Sequence, residues 1–238
     1  MSNDYKSVLV VGAGPVGLVA TASLISEGIP VKLIETTADL AQDLRASTFH
    51  PPTLDFLDKL GIADQLVEQG LICKNWQFRD RNSGVVASFD LSLLTGETKF
   101  PFRLQCEQWK LTKALRTYIE DHPDGELITR TSAEEVGQND DGVWVKTIDS
   151  DGYQNRYEGR FLIGSDGARS IVRKSINAKF EGMTIPEIFL VLSTNFQYEK
   201  AIPDLANIAY ISDPDEWLVL LKTLSLWRVL LPTNPEHS

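Results

Sequence analysis

The stretch Lys6-Ser7-Val8-Leu9-Val10-Val11-Gly12-Ala13-Gly14-Pro15-Val16-Gly17 decides the fold of this 238-residue chain. Its first half is an apolar, β-branched run of the kind that forms a buried parallel strand. Its second half reads G-x-G-x-x-G, and Leu18 to Glu27 then puts Leu18, Ala22 and Ile25 on one helical face. Gly28 suits the left-handed position that ends a helix. A second short strand, Val31-Lys32-Leu33-Ile34, closes on Glu35. Strand, glycine turn, helix, strand and a carboxylate about 20 residues on make the β-α-β unit that holds a dinucleotide.

Each part has a physical task. Gly12 permits the tight turn, Gly14 lets backbone approach a pyrophosphate, and Gly17 lets helix and strand pack closely. Ala13, Pro15 and Val16 fill the variable positions of the same loop. The helix N-terminus offers unpaired N–H groups and partial positive charge to phosphates. Glu35 can accept the hydroxyl hydrogens of an adenosine ribose, and would repel a 2′-phosphate.

Outside this unit, the composition is that of a globular protein, 42% hydrophobic and 24% charged, without repeats or low-complexity runs. A net charge of −10 argues against nucleic acid and anionic membrane as partners. The longest apolar candidate, Trp217 to Leu231, is short for a membrane span and carries Lys222 and Arg228. The first apolar run is the strand before Gly12, so no signal peptide is read at the N-terminus. Cys73 and Cys106 make no disulfide framework, which suits a reducing compartment. The expectation is a soluble, cytoplasmic protein.

Further along, Pro51-Pro52 opens a helix with Leu54, Leu57 and Leu60 on one face, and a shorter helix spans about Ala63 to Gln69. Arg45 lies in the polar connection before them, where an arginine can reach back over a bound phosphate or simply face solvent. From Asn75 the period is two: Trp76–Arg79 and Val85–Phe89 flank Asn82-Ser83-Gly84 as a hairpin, assigned to a second sheet. Phe102–Gln105 leads into a helix over Glu107 to Asp121, stopped by Pro123. Strands follow near Glu126–Thr131, Glu134–Gln138, Val143–Ile148 and from Tyr153. Asp-Gly occurs four times, beginning at 124, 141, 151 and 166. Only Asp166-Gly167 ends an apolar run, Phe161-Leu162-Ile163-Gly164, and precedes a helix near Ser170. That context predicts Asp166 at the C-terminal end of a central parallel strand, where ligands of open α/β sheets bind. Beyond Ile176, four strands at Phe189–Tyr198, Ile208–Ile211, Trp217–Leu221 and Leu226–Leu231 read as a mostly antiparallel sheet. His50, His122 and His237 have no nucleophile or metal-ligand partner at telling spacing, so no metal site is expected.

Taken in order, the Gly12–Gly17 loop, Glu35, Arg45, Gln105 and Gly164-Ser165-Asp166-Gly167-Ala168-Arg169-Ser170 resemble the FAD-dependent aromatic-ring monooxygenases with the p-hydroxybenzoate hydroxylase fold. The resemblance covers nearly the whole chain, and the Asp-Gly segment is its specific part. It implies an α/β fold: a Rossmann-like FAD-binding domain with parallel central sheet and β-meander, plus a partial, mostly antiparallel substrate-domain sheet. The corresponding boundaries are 1–72 and 103–177 for the first, 73–102 and 178–238 for the second. It implies that the glycine loop and Glu35 hold the ADP half of FAD. Arg45 would contact the FAD phosphates or ribityl chain, Gln105 the ribityl region, and Asp166 and Gly167 both FAD and the nicotinamide cofactor. The reaction implied is hydroxylation of a small phenol-like aromatic with NADPH or NADH and O₂ through a flavin hydroperoxide. No side chain is then needed as catalyst, because the flavin performs the chemistry.

One departure shapes the expectation. The family's second flavin motif, a Gly-Asp pair after an apolar strand, has no match after Ile176, where Ser212-Asp213-Pro214-Asp215 stands in the wrong context. The chain therefore reads as the N-terminal part of such an enzyme. The alternative is a non-catalytic or split FAD-binding fragment that is dimeric or needs a C-terminal partner polypeptide. A flavin-dependent halogenase fits less well, since its paired tryptophans are absent.

Overall fold

In the computed structural model, which describes residues 7–39 and 46–233, the apolar run after Ser7 is β1 (Val8–Val11), buried at all four positions. It leads through the glycine turn to α1 (Pro15–Ser26) and β2 (Val31–Ile34). Next come β3 (Thr48–Phe49), α2 (Pro51–Lys59), α3 (Ala63–Glu68), β4 (Leu71–Cys73), β5 (Asn75–Asp80), β6 (Gly84–Asp90) and β7 (Arg103–Gln105). The middle of the chain supplies α4 (Gln108–Glu120), β8 (Gly125–Ile128), β9 (Thr131–Asn139), β10 (Gly142–Asp149), β11 (Gln154–Gly159), β12 (Phe161–Gly164) and α5 (Ile171–Ser175). The last part holds β13 (Ile188–Thr194), α6 (Tyr198–Ala201), β14 (Ile208–Ser212), β15 (Leu218–Lys222) and β16 (Trp227–Thr233).

These elements form two compact units, one from the described residues of 1–43 and 108–182, the other from those of 44–107 and 183–238. The first is built on a four-stranded parallel sheet in the order β12-β1-β2-β8. Helices α1 and α4 pack against each other and the sheet. The antiparallel meander β9-β10-β11 joins Val145 and Val136 to Leu9, Val11 and Ile34 in one apolar cluster. Gly28 takes φ 73°, the left-handed stop expected after α1.

The second unit contains a six-stranded sheet, β13-β16-β15-β14-β5-β6, and a small sheet, β3-β7-β4. The hairpin β5–β6 and the four late strands thus share one sheet, antiparallel throughout except where β14 runs parallel to β5. Trp227 and Val229 lie with Ala209, Ile211 and Leu220 in its core.

One expectation needs correction. Asp166 does not end a central strand: β12 is an edge of its sheet among the described residues, pairs only with β1, and leaves Phe161 60% exposed. An apolar run reports burial of side chains on the two faces of a strand, not whether a second ladder partner lies beside it. In addition, residues 46–72 and 103–107 cluster in the second unit. Thr48, Phe49 and Leu71–Cys73 pair with Arg103–Gln105 in a ladder too short for its alternation to be read.

Candidate functional site

In the first unit, the C-terminal ends of β1, β2 and β12 open on one cleft of about 430 Å³. Gly12, Gly14, Glu35, Asp166, Gly167 and Arg169 line it, so the two motifs separated by about 150 residues of sequence meet there. Arg169 was not singled out in the sequence, although it lies inside the Gly164–Ser170 segment. It brings a cation to a cleft otherwise marked by two carboxylates.

The three glycines do different work. Gly12 has φ 99°, and a Cβ there would sit 2.5 Å from the Ser165 carbonyl oxygen. A Cβ at Gly17 would overlap the Gly12 carbonyl oxygen and lie 2.5 Å from Ser165 Oγ. Gly12 is therefore required both by its turn and by the second motif crossing it. Gly14 is exposed and has nothing within 4 Å of its Cβ position, leaving open space beside the N-terminus of α1. Proline occupies the start of that helix and no acidic residue stands in its first turn.

Side-chain bonds fix the loop. Ser165 Oγ lies 2.8 Å from both the Val11 and Gly12 carbonyl oxygens, to which its single hydrogen donates. Ala13 N–H donates to Glu35 Oε2 at 2.8 Å, and Thr37 N–H to Oε1 at 2.8 Å. The Thr37 hydroxyl is shared between Glu35 Oε1 and the Asp39 carbonyl. A carboxylate has about four acceptor directions, and two backbone N–H groups fill half of them here. Glu35 thus ties the glycine loop to the end of β2 and keeps acceptor capacity for one or two further hydroxyls.

Asp166 is likewise engaged. Its Oδ1 accepts from Ser170 Oγ at 2.5 Å, and its Oδ2 from Ile171 N–H at 2.6 Å and Val172 N–H at 3.2 Å. Ser170 Oγ in turn accepts from Arg173 N–H at 2.9 Å. The Asp-Gly turn is therefore a helix start capped twice, with Gly167 at φ 77°. The turn at Asp141-Gly142 has no such role: Asn139 Oδ1 accepts both backbone N–H groups.

In the second unit, Gln105 is fully buried on β7. Its Oε1 is approached by Ser47 Oγ (3.4 Å) and Thr48 Oγ1 (3.1 Å), while its Nε2 has no acceptor among the described residues. Arg45 and His237 lie outside the described residues. Cys73 and Cys106 are both buried and unbridged, and burial pushes the Cys73 thiol up to about 11. His50 precedes α2, its pKa lowered by burial and by the Arg103 charge. Among the described residues no group of three acidic, cysteine or histidine side chains is arranged to hold a metal, and no helix is long and apolar enough to cross a membrane.

The architecture has relatives. The family model described as FAD binding domain matches residues 5–235. The para-nitrophenol 4-monooxygenase of a Pseudomonas strain is 32% identical over 224 residues, which are 93% of this chain and 55% of that protein. The 6-hydroxy-3-succinoylpyridine 3-monooxygenase of Pseudomonas putida is 29% identical, over 97% of this chain and 58% of its own length. The crystal structure of a p-nitrophenol 4-monooxygenase from Pseudomonas putida superposes with a TM-score of 0.91 at 27% identity, covering 98% of this chain and 59% of that one. The chain spans a little over half the length of these relatives.

Proposed function

The chain belongs to the FAD binding domain family, and from that premise we propose that it is the FAD-holding part of a flavoprotein that hydroxylates a small aromatic ring. The observation that carries the reading is the single cleft joining Gly12, Gly14 and Glu35 to Asp166 and Gly167. The open side of Gly14 and the α1 N-terminus receive the pyrophosphate. The remaining acceptor capacity of Glu35 receives the adenosine ribose. Arg169 balances phosphate charge across the cleft, the role the family resemblance also gives to Arg45. Gln105 Nε2, buried and without an acceptor among the described residues, supports its assignment to the ribityl chain, since a buried amide donor without an acceptor is costly. Bound FAD would supply the activation of O₂, with NADH or NADPH as electron source. The protein's share is to bind, orient and shield.

A second reading is favoured by β13. Each residue of Ile188–Leu192 is 44–47% exposed although the strand is paired along its length with β16. Such a strand is apolar surface awaiting cover. On this reading the chain holds FAD but hydroxylates a ring only when further polypeptide completes it. Both readings are tested by flavin fluorescence titration and O₂-dependent NADH and NADPH oxidation with a panel of phenols. Glu35→Ala should weaken FAD binding by the worth of one or two charge-assisted hydrogen bonds, about 1.5–3 kcal/mol each. Unchanged affinity with the fold intact would refute the assignment. FAD binding without ring hydroxylation selects the second reading.

A further inference from the structure

The six-stranded sheet of the second unit ends, among the described residues, on β13, which pairs only with β16. One row of its N–H and C=O groups therefore points away from the sheet without a ladder partner. A strand with one covered face shows alternating burial, because its side chains alternate between faces. β13 does not alternate: Ile188, Phe189, Leu190, Val191 and Leu192 are 44–47% exposed in succession. Its neighbour β16 is covered, with Trp227, Arg228 and Val229 all buried.

The two edges of this sheet are built differently. Edge strands are ordinarily blunted by a charge, a proline, a bulge or shortness. β6, at the far edge, carries Asp90 and a register shift against β5. β13 runs seven residues, Ile188–Thr194, with no charge and no proline, in unbroken register with β16. It is a long, flat, apolar template for another strand.

The apolar run also matches itself. Facing residues of an antiparallel ladder are both bonded to each other or both not, and the two kinds alternate along each strand. Two copies of one strand related by a two-fold axis therefore meet with one residue facing its own copy. Ile188–Leu192 is centred on Leu190. With Leu190 on the axis, Ile188 faces Leu192 and Phe189 faces Val191, so every apolar residue of the run meets another. Glu187 then faces Ser193, and no carboxylate meets a carboxylate. Moving the axis to Phe189 sets Val191 against Glu187, and moving it to Val191 sets Phe189 against Ser193.

We propose that β13 is a homodimer interface. Two copies of this chain add edge to edge, antiparallel about a two-fold axis at Leu190, and join their six-stranded sheets into one. The occupant is a second copy because the centred run is complementary to itself. The pairing needs no flavin, so it stands or falls apart from the FAD reading.

Sedimentation velocity of the full chain, from about 1 to about 300 μM, should show a reversible dimer with a Kd on the order of 10 μM, as suits an edge contact at the small end of interface areas. Leu190→Lys sets two ammonium groups face to face at the axis and should weaken the dimer about tenfold or more. Phe161→Lys, on the exposed edge strand β12 of the first unit, should leave it unchanged. Oxidative cross-linking reads the register. Leu190→Cys should give a disulfide-linked dimer, because its two sulfurs meet at the axis. Thr194→Cys should not, since its two copies stand about 27 Å apart along the paired strands. Native Cys73 and Cys106 are buried and set the background. A chain that stays monomeric throughout the range, a dimer that survives Leu190→Lys or is lost in Phe161→Lys, or cross-linking of Thr194→Cys as readily as Leu190→Cys overturns the proposal. So does growth into open-ended oligomers, which marks indiscriminate edge association and not a closed pair. If Leu190→Lys alters the circular dichroism spectrum, the contrast between the two cysteine variants decides.

Discussion

The two units treat their polar side chains in opposite ways. In the first, the acids of the cleft are closed on the protein itself: Glu35 holds Ala13 and Thr37, and Asp166 holds Ser170, Ile171 and Val172. In the second, buried Gln105 and Arg228 keep donors without acceptors among the described residues. The first site is shaped before any ligand arrives, and recognition falls to the open space beside Gly14 and the acceptor capacity that Glu35 has left. A site with open donors is completed by what binds it. The first arrangement is set by the fold alone, and the second is left for an incoming acceptor to complete.

The comparison breaks most readily at the glycines. Gly17→Ala should cost about 3 kcal/mol, because the methyl overlaps the Gly12 backbone and no flexible side chain can yield. Gly14→Ala should leave stability unchanged or raise it by about 0.5 kcal/mol, since its φ of −67° suits any residue. The same methyl should still weaken FAD binding about tenfold by intruding where the pyrophosphate approaches. Denaturant unfolding beside flavin titration checks both. If Gly14→Ala destabilises as Gly17→Ala does, the loop is a packing element and not a preformed cradle.

A middle-sized effect separates the Asp-Gly turns. Asp166→Ala should cost about 1–2 kcal/mol by uncapping α5, while Asp141→Ala should stay within about 0.5 kcal/mol. FAD retention should fall only in the first. Equal losses in urea unfolding and in flavin retention would remove the distinction between a capped site turn and a surface turn.

The smallest effect belongs to the second unit's surface. Glu199 accepts from Lys222 Nζ at 2.6 Å and Trp227 Nε1 at 2.8 Å, and these bonds lower its pKa from 4.5 to about 2. A carboxylate depressed on folding contributes stability above 4.5 that is lost as the pH falls toward 2. Glu199→Gln should therefore flatten that part of the acid-unfolding curve and leave neutral stability slightly lower. An unchanged acid limb by tryptophan fluorescence would remove Glu199 from the account.

Much of the first unit was legible because its signals are local. The β-α-β unit needs only a buried run, three glycines, a helical period and a terminal acid, all within residues 6–35. Asp166 stood apart from the other Asp-Gly pairs by the apolar run before it, and it does line the cleft with Glu35. Its place on an edge strand was not legible, since ladder partners are chosen over long sequence distances. The small sheet of β3, β4 and β7 was missed for the same reason, its strands being two or three residues long.

By itself, then, the sequence determined the glycine turn after β1, the acid at the end of β2 and the two-period strands of the later sheet, because covalent neighbours and side-chain periodicity act within a few residues. Only the tertiary structure decided that Gly12 is held on two sides: Ser165, remote in sequence, crosses the loop at 2.5 Å from where a Gly12 Cβ would be. It also decided that Arg228 would be buried with Nε and Nη2 unpartnered among the described residues. Hydrogen-bond satisfaction is settled by which strands and loops close over a group, and no pattern along the chain carries that information.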